Sequence, residues 1–158
     1  MWQNFFEWLQ NTPLATSVGE DWFPWVESAH VVCLAAVAGT IFTVDARLLG
    51  IASRKLRFTY LSAQLLPWTW GAFIGAAITG GLMFMANATA YIGNTPFLIK
   101  MCLLLLAGLN MLYFQFVTFR SVQTWDSGMP VPAARAAGVL SVLLWCGVIG
   151  FGRWIGFV

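Results

Sequence analysis

The sequence predicts an all-α integral membrane protein with a four-transmembrane-helix up-down bundle and a short N-terminal interfacial amphipathic helix. Of the 158 residues, 59% are hydrophobic and 9% are charged, whereas a soluble domain carries about 25% charged residues. The uncharged runs are continuously apolar rather than alternating, which excludes a β-barrel and leaves helices as the spanning elements. We therefore interpret residues 1–158 as a single membrane domain and exclude soluble, disordered and nucleic-acid-binding proteins.

The spacing of the charged residues marks the four spans. A spanning helix needs about 20 mostly apolar residues. Uncharged runs occupy residues 28–44, 58–99, 101–119 and 136–152. The second run is too long for one helix, and Gly93, Asn94 and Pro96 break it near its end. We predict helices at about 26–49, 64–87, 95–119 and 134–156, joined by short connections that favour antiparallel packing.

The sequence of residues 1–20 predicts a short helical segment that lies in the membrane interface. Apolar side chains recur at Trp2, Phe5, Phe6 and Leu9, which is the spacing of one helical face. Pro13 ends this helix. The segment contains no Lys or Arg, so it does not fit a signal peptide. Aromatic amphipathic helices of this kind lie along the membrane surface.

The positive charges predict the orientation in the membrane. Six of the eight Lys and Arg residues belong to the first and third connections: Arg47, Arg54, Lys55, Arg57, Arg120 and Arg135. The positive-inside rule assigns these connections to the cytoplasm. We expect a multi-pass protein of a bacterial inner membrane with periplasmic N- and C-termini. Its expected partners are the lipid bilayer and either other membrane subunits or further copies of the chain, with no nucleic acid.

Four ionisable residues of the outer leaflet form a candidate polar cluster: Glu27, His30, Lys100 and Arg153. Ionisable groups at membrane depth are costly and usually face a partner or a cavity. Glu27 and His30 are three residues apart and so share a helical face. Lys100 enters the third span from the same side. The cluster is either a set of mutually paired charges with a structural role or part of a functional site.

Sulfur-containing side chains near His30 in the sequence add a candidate metal site to this cluster. The candidate ligands are His30, Cys33, Met83, Met85, Met101 and Cys102. Imidazole, thiolate and thioether together suit copper, and Cu(I) in particular. Haem is the other candidate, because a four-helix bundle can host it. With a single histidine in the chain, the second axial position would be a Met, open, or supplied by a partner chain. Cys and Met are also ordinary packing residues, so a packing role stays open.

At the cytoplasmic ends of the spans, the sequence predicts a structural ion pair. Asp45 and Arg47 close the first span. An acid at this depth needs a cation, and Arg120 or Arg135 is at the right depth to supply it. Asn110, inside the third span, could form a hydrogen bond across helices, and a packing role is favoured for it.

A succession of short motifs runs through nearly the whole chain. These motifs are Phe23-Pro24, Glu27, His30, Gly39, Asp45-Ala46-Arg47-Leu48-Leu49-Gly50, Pro67-Trp68, Thr79-Gly80, Asn94, Phe97, Lys100, Asn110 and Gly152-Arg153. Together they resemble a family of small, uncharacterised four-helix bacterial inner-membrane proteins, and the Asp-x-Arg-Leu-Leu-Gly element is the most specific part. That resemblance implies the architecture and no established activity. More distantly, the histidine on the first helix and the lysine on the third are similar to CopD-type copper-resistance membrane domains, which implies copper.

Motifs of common catalytic classes are missing from the sequence. It has no Gly-rich phosphate loop, no Gly-x-Ser-x-Gly elbow and no second histidine for a metalloprotease, so enzymatic activity by this chain alone is not expected. Two functions remain. The first is to hold a redox-active metal, copper or haem iron, in the periplasmic leaflet for metal handling or electron transfer. The alternative is a non-catalytic small subunit or assembly factor of a larger membrane complex, with a purely structural polar cluster.

Overall fold

The computed structural model describes residues 2–157 and is built of helices. They are α1 (Trp2–Gln10), α2 (Pro13–Ser17), α3 (Phe23–Leu48), α4 (Phe58–Ala86), α5 (Ala88–Gly93), α6 (Thr95–Phe116) and α7 (Pro132–Trp154). A turn of π-helix (Val18–Trp22) precedes α3, and 3₁₀ turns (Thr118–Thr124 and Ile155–Phe157) follow α6 and α7. The predicted all-α fold is confirmed.

The four long helices α3, α4, α6 and α7 correspond to the four predicted spans. Each is long and apolar enough to cross a membrane, as expected of a multi-pass protein in lipid. The largest boundary difference is at α4, which begins at Phe58 rather than near residue 64, with Pro67 inside the helix. We refer below to the terminal end of the bundle, where α3 begins and α7 ends, and to the loop end, where residues 49–57 and 117–131 connect the spans.

The N-terminal segment forms a separate amphipathic helix, α1, that docks on the terminal end of the bundle. The side-chain oxygen of Gln10 accepts a hydrogen bond of 2.7 Å from the Thr89 hydroxyl of α5. Phe6 packs edge-on against Phe84 of α4, with ring centroids 6.1 Å apart. The predicted short helix is confirmed as an element, and its position in the membrane interface stays a prediction.

The four long helices pack as a bundle with three close sides and one looser side. Helix α3 packs along α4, α6 along α7, and α3 also contacts α7. The central core contains Val37, Ala107, Leu144, Trp145 and Val148.

On the looser side, α4 and α6 are not a closely packed pair within residues 2–157. They meet instead through aromatic side chains near both ends. Phe84 and Phe97 stack with centroids 5.6 Å apart at the terminal end, and Phe58 and Phe114 meet at 5.8 Å at the loop end. Large rings bridge the two helices there, so this side is held by side chains rather than by close backbone contact.

A hydrogen bond across helices joins α6 to α7. The Asn110 side-chain amide donates to the Ala137 carbonyl at 3.0 Å. The hydrogen bond that Asn110 could form to a neighbouring helix is therefore present.

Asp126 fixes the start of α4 from the third connection. Its carboxylate accepts hydrogen bonds from the Thr59 backbone N–H at 2.8 Å, the Thr59 hydroxyl at 2.9 Å and Arg57 Nε at 3.0 Å. Its backbone carbonyl accepts from the Phe58 N–H at 2.9 Å. The first N–H groups of a helix have no partner within the helix. Asp126 therefore acts as a cap for α4, although it lies far along the chain.

Burial raises the pKa of the Asp126 carboxyl, but hydrogen bonds from Thr59 and Arg57 outweigh it and hold this pKa below its usual value. The ionised acid therefore stabilises the fold above the unfolded pKa of 3.8, and this contribution is lost as the pH falls through the lower folded pKa. We expect Asp126→Ala to lower the free energy of unfolding by about 1 to 2 kcal/mol at neutral pH, the usual cost of losing a helix cap.

Unfolding in detergent, followed by circular dichroism at several pH values, measures this effect. Asp21→Ala is the control, because Asp21 is an exposed acid, and it should shift stability by less than about 0.5 kcal/mol. An Asp126→Ala protein as stable as the Asp21→Ala protein at neutral pH would contradict the capping role.

The ion pair predicted for Asp45 is not formed. Arg47 is buried and donates to three backbone carbonyls: Leu56 at 3.0 Å, Asp126 at 3.0 Å and Gly128 at 3.3 Å. Carbonyls of two connections thus satisfy this guanidinium without a carboxylate.

The other predicted partners of Asp45 do not reach it either. Arg120 and Arg135 are exposed. Within residues 2–157, the only ion pair joins Arg57 to Asp126. The depth of these groups was predicted from the sequence, but depth does not determine which side chains face each other.

Candidate functional site

His30 lies near the terminal end of α3, half-buried against α4. The ring sits over Gly80, where an added Cβ would come within 2.9 Å of His30 Cε1. One turn along the same contact, Cys33 packs over Gly75, where an added Cβ would come within 2.8 Å of Sγ. The two glycines let α3 and α4 approach closely, and this approach positions the imidazole.

A hydrogen-bond chain joins the His30 ring to the backbone of α4 through Thr79. Nδ1 lies 2.9 Å from the Thr79 hydroxyl, and that hydroxyl lies 2.7 Å from the Gly75 carbonyl, to which it donates. With its hydrogen directed at Gly75, the Thr79 oxygen can accept a hydrogen bond from Nδ1–H. This arrangement is compatible with a proton on Nδ1. With the proton there, Nε2 presents a lone pair, and no hydrogen bond to Nε2 forms within residues 2–157.

The structure brings three of the four predicted cluster residues into one neighbourhood. The charges of Lys100 and Glu27 both act on the His30 imidazole. Lys100 is half-buried on α6, and its side chain packs 3.6 Å from the Cβ position of Gly152 on α7. No carboxylate of residues 2–157 forms an ion pair with Lys100, since the one ion pair there is elsewhere. The mutual pairing that would make the cluster purely structural is thus not formed.

Arg153, the fourth member, is directed elsewhere. Its side chain is exposed and lies over the Phe157 ring, 5.5 Å from the centroid. It therefore belongs to the end of α7 rather than to the surroundings of His30.

The predicted sulfur ligands do not gather around His30. Met101 and Cys102 are exposed on the outer face of the bundle. Met83 and Met85 are half-buried near the end of α4, and Cys33 is half-buried against Gly75. Within residues 2–157, no group of three or more His, Cys, Asp or Glu side chains could hold a metal ion. The six predicted ligands are therefore not assembled into one site within a chain.

An aromatic cluster covers the terminal end of the bundle near this site. It joins Phe84 of α4, Tyr91 of α5 and Phe97 of α6. Tyr91 and Phe97 have ring centroids 5.1 Å apart, and Phe84 and Tyr91 are stacked at 6.2 Å. The Glu27 charge also acts on Tyr91, so the cluster borders the acidic side of the His30 neighbourhood.

Comparison with known protein families matches residues 5–158 to DUF6644, a family of unknown function. The chain belongs to this family. No curated protein and no solved structure matches it. Membership of DUF6644 agrees with the predicted resemblance to an uncharacterised family over nearly the whole chain, and it brings no likeness to CopD-type proteins.

In this DUF6644 protein, sequence reasoning missed the side chains that orient His30. Thr79-Gly80 is named in the sequence as a motif. The sequence does not predict that the Thr79 hydroxyl bonds to His30 or that Gly80 leaves room for the ring. The available signal was a polar residue beside a small one inside an otherwise apolar span. Tyr91 was also missed, and Phe97 was named only as a motif residue, although both flank the predicted break at residues 93–96.

Proposed function

We propose that this DUF6644 protein holds haem in the terminal half of its bundle, with His30 as the residue that would bind the iron. The observation that supports this most directly is the state of the imidazole. Histidines that ligate metals almost always donate their other ring N–H to a protein or water oxygen, which fixes the tautomer. His30 Nδ1 lies 2.9 Å from the Thr79 hydroxyl, and with the proton on Nδ1 the Nε2 lone pair would be available to bind iron.

The donor set favours haem over a copper ion bound by protein side chains alone. A copper site needs several protein ligands, and within residues 2–157 no group of three or more His, Cys, Asp or Glu side chains could hold a metal ion. Haem brings its own in-plane nitrogens and needs the protein only at the axial positions. Bound there, it would supply one-electron chemistry to the membrane.

Lys100 supports the same ligand. Haem carries carboxylate groups, and a lysine ammonium binds carboxylates through charge-assisted hydrogen bonds. Lys100 is half-buried near His30 and has no ion-pair partner among residues 2–157. A cation held in this state is costly in a membrane, and an anionic ligand would compensate for that cost.

The proposal includes the predicted location in a bacterial inner membrane. With the basic connections in the cytoplasm, the His30 neighbourhood lies in the periplasmic leaflet. Arg54, Lys55 and Arg57 are all exposed at the loop end, where they can face cytoplasmic headgroups and water. Haem at this depth would serve electron transfer near the outer surface.

The test measures haem by absorption spectroscopy, and iron and copper by elemental analysis, on protein purified in detergent from cells supplied with both. We expect near-stoichiometric haem in the wild-type protein and none in His30→Ala, with unchanged helical content. Thr79→Val should weaken binding by about 10- to 100-fold, the usual effect of losing such a supporting hydrogen bond.

Thr69→Val is the matched control. Thr69 is on the same helix and also bonds across to α3, where its hydroxyl lies 2.9 Å from that of Thr40, but it is remote from His30. It should retain haem.

Other results would point to other functions. Copper that disappears in both His30→Ala and Cys33→Ser would replace haem with a copper site, as the CopD-type resemblance implies. Neither metal in any sample would contradict the proposal. It would leave a small subunit or assembly factor as the function, with partner subunits to be sought.

A further inference from the structure

Asp45 is an acidic residue buried inside a membrane-spanning helix. It lies one turn before the end of α3, and its exposed fraction is 4%. Acidic residues in this setting usually mark a functional site. The proposed haem site does not include it, since the 15 residues from His30 correspond to about 22 Å at about 1.5 Å per residue.

One oxygen of the Asp45 carboxyl has no partner in the part of the chain that the structure describes. Oδ2 is fully buried and forms no hydrogen bond within residues 2–157. The Ser141 side chain of α7 is a neighbour of the carboxyl and lies close enough to interact with it. At Gly138 the backbone of α7 lies close to α3, because an added Cβ would be 3.2 Å from Leu48 Cβ and 3.6 Å from the Asp45 carbonyl. The carboxyl is thus enclosed between two closely packed helices.

Within residues 2–157, no cation neutralises this carboxyl. Helix α4 carries no charged residue. On α7, Arg135 is exposed and Arg153 is at the opposite end of the bundle. On α3 itself, the Arg47 guanidinium is bonded to backbone carbonyls. The acids of the π-helical turn before α3, Glu20 and Asp21, are exposed at the terminal end.

An ionised carboxylate without a counter-charge is strongly unfavourable in such an enclosure, whereas the neutral acid is tolerated. We propose that Asp45 is a proton-binding site, occupied in the resting protein and enclosed between α3 and α7. Release breaks the carboxyl O–H bond, transfers the proton to water and leaves the carboxylate behind. The ligand of this site is a proton rather than a metal ion.

The surroundings of Asp45 also restrict how the proton leaves. An apolar cluster lies at the loop end of α3, with Leu48, Phe58, Val122, Trp125 and Ala134 as its buried members. Val44 packs against the same cluster. Exchange with water on that side therefore requires this cluster to open.

Infrared spectroscopy at neutral pH tests the proposal, because a protonated carboxyl has a carbonyl stretching band that the ionised form lacks. We expect wild-type protein to show this band and to shift it in D₂O. The band should be lost completely in Asp45→Asn and retained in Asp21→Asn, the matched control at an exposed acid. Ser141→Ala should shift the band without removing it, which keeps the test usable if Asp45→Asn does not fold.

Two results would overturn the proposal. The first is a spectrum in which no protonated-carboxyl band is lost in Asp45→Asn or shifted in Ser141→Ala. The second is disappearance of the band when sodium chloride is added at constant pH, which would identify a metal-cation site instead. The measurement can be made with or without bound haem, so its outcome is independent of the function proposed for His30.

Discussion

Replacing Arg47 with methionine should lower the free energy of unfolding by about 3 kcal/mol. Arg47 is one of the most buried side chains in the protein, at 1% exposure. Its guanidinium joins the carbonyls of Leu56, Asp126 and Gly128. Methionine keeps an unbranched apolar stem of the kind that Arg47 has but donates no hydrogen bond. Each lost hydrogen bond from a charged donor costs about 1.5 to 3 kcal/mol. Because water partly solvates the freed carbonyls, the total loss is smaller than the sum over the three bonds.

Thermal or denaturant unfolding in detergent measures this loss. Arg120→Met is the matched control, since Arg120 is exposed at the same end of the bundle, and it should change stability by less than about 0.5 kcal/mol. Arg47→Lys should recover only part of the loss, because an ammonium cannot reproduce the fork of the guanidinium. If Arg47→Met is as stable as Arg120→Met, the three carbonyl contacts do not hold the connections together.

Gly80→Ala should displace His30, whereas Gly81→Ala should not. A Cβ at Gly80 would lie 2.9 Å from His30 Cε1, while one at Gly81 would meet nothing within 4 Å. Alanine favours a helix over glycine by up to about 1 kcal/mol, but forced overpacking costs about 1 to 3 kcal/mol. The two adjacent substitutions should therefore differ in their effect on stability. Gly80→Ala should be destabilising, and Gly81→Ala should be neutral or stabilising.

The same pair tests the proposed haem site. A displaced imidazole cannot keep its hydrogen bond to Thr79, so we expect Gly80→Ala to lose haem at least about 10-fold relative to Gly81→Ala. Stability and haem content are measured on the same purified samples. Equal haem content in both variants would show that the close contact at Gly80 does not position His30.

The spans could be predicted from the sequence because the physical constraint on them is local. A lipid-crossing helix must be a continuous apolar run, and the charged residues delimit such runs directly. The start of α4 at Phe58 could not be predicted in this way. It depends on a cap from Asp126 in the third connection, and a contact between segments so distant in sequence leaves no local pattern.

Only part of the site could be predicted, for a related reason. Glu27 and His30 share a face through spacing on a single helix, and the structure also brings Lys100 close to them. The spans are apolar nearly all round, so periodicity does not indicate which face of a helix is turned inward. Met101 and Cys102 were therefore proposed as ligands although they face outward. The role of Thr79 depends on the packing of α3 against α4, which no single helix encodes.

The bonds made by Arg47 also imply an order of assembly during biosynthesis. Arg47 enters the membrane with the first span, but its acceptors at residues 126 and 128 are synthesised 79 and 81 residues later. Docking of the third connection satisfies Arg47 and caps α4 at the same time. The loop end of the bundle therefore cannot take its final form until the third connection has been synthesised.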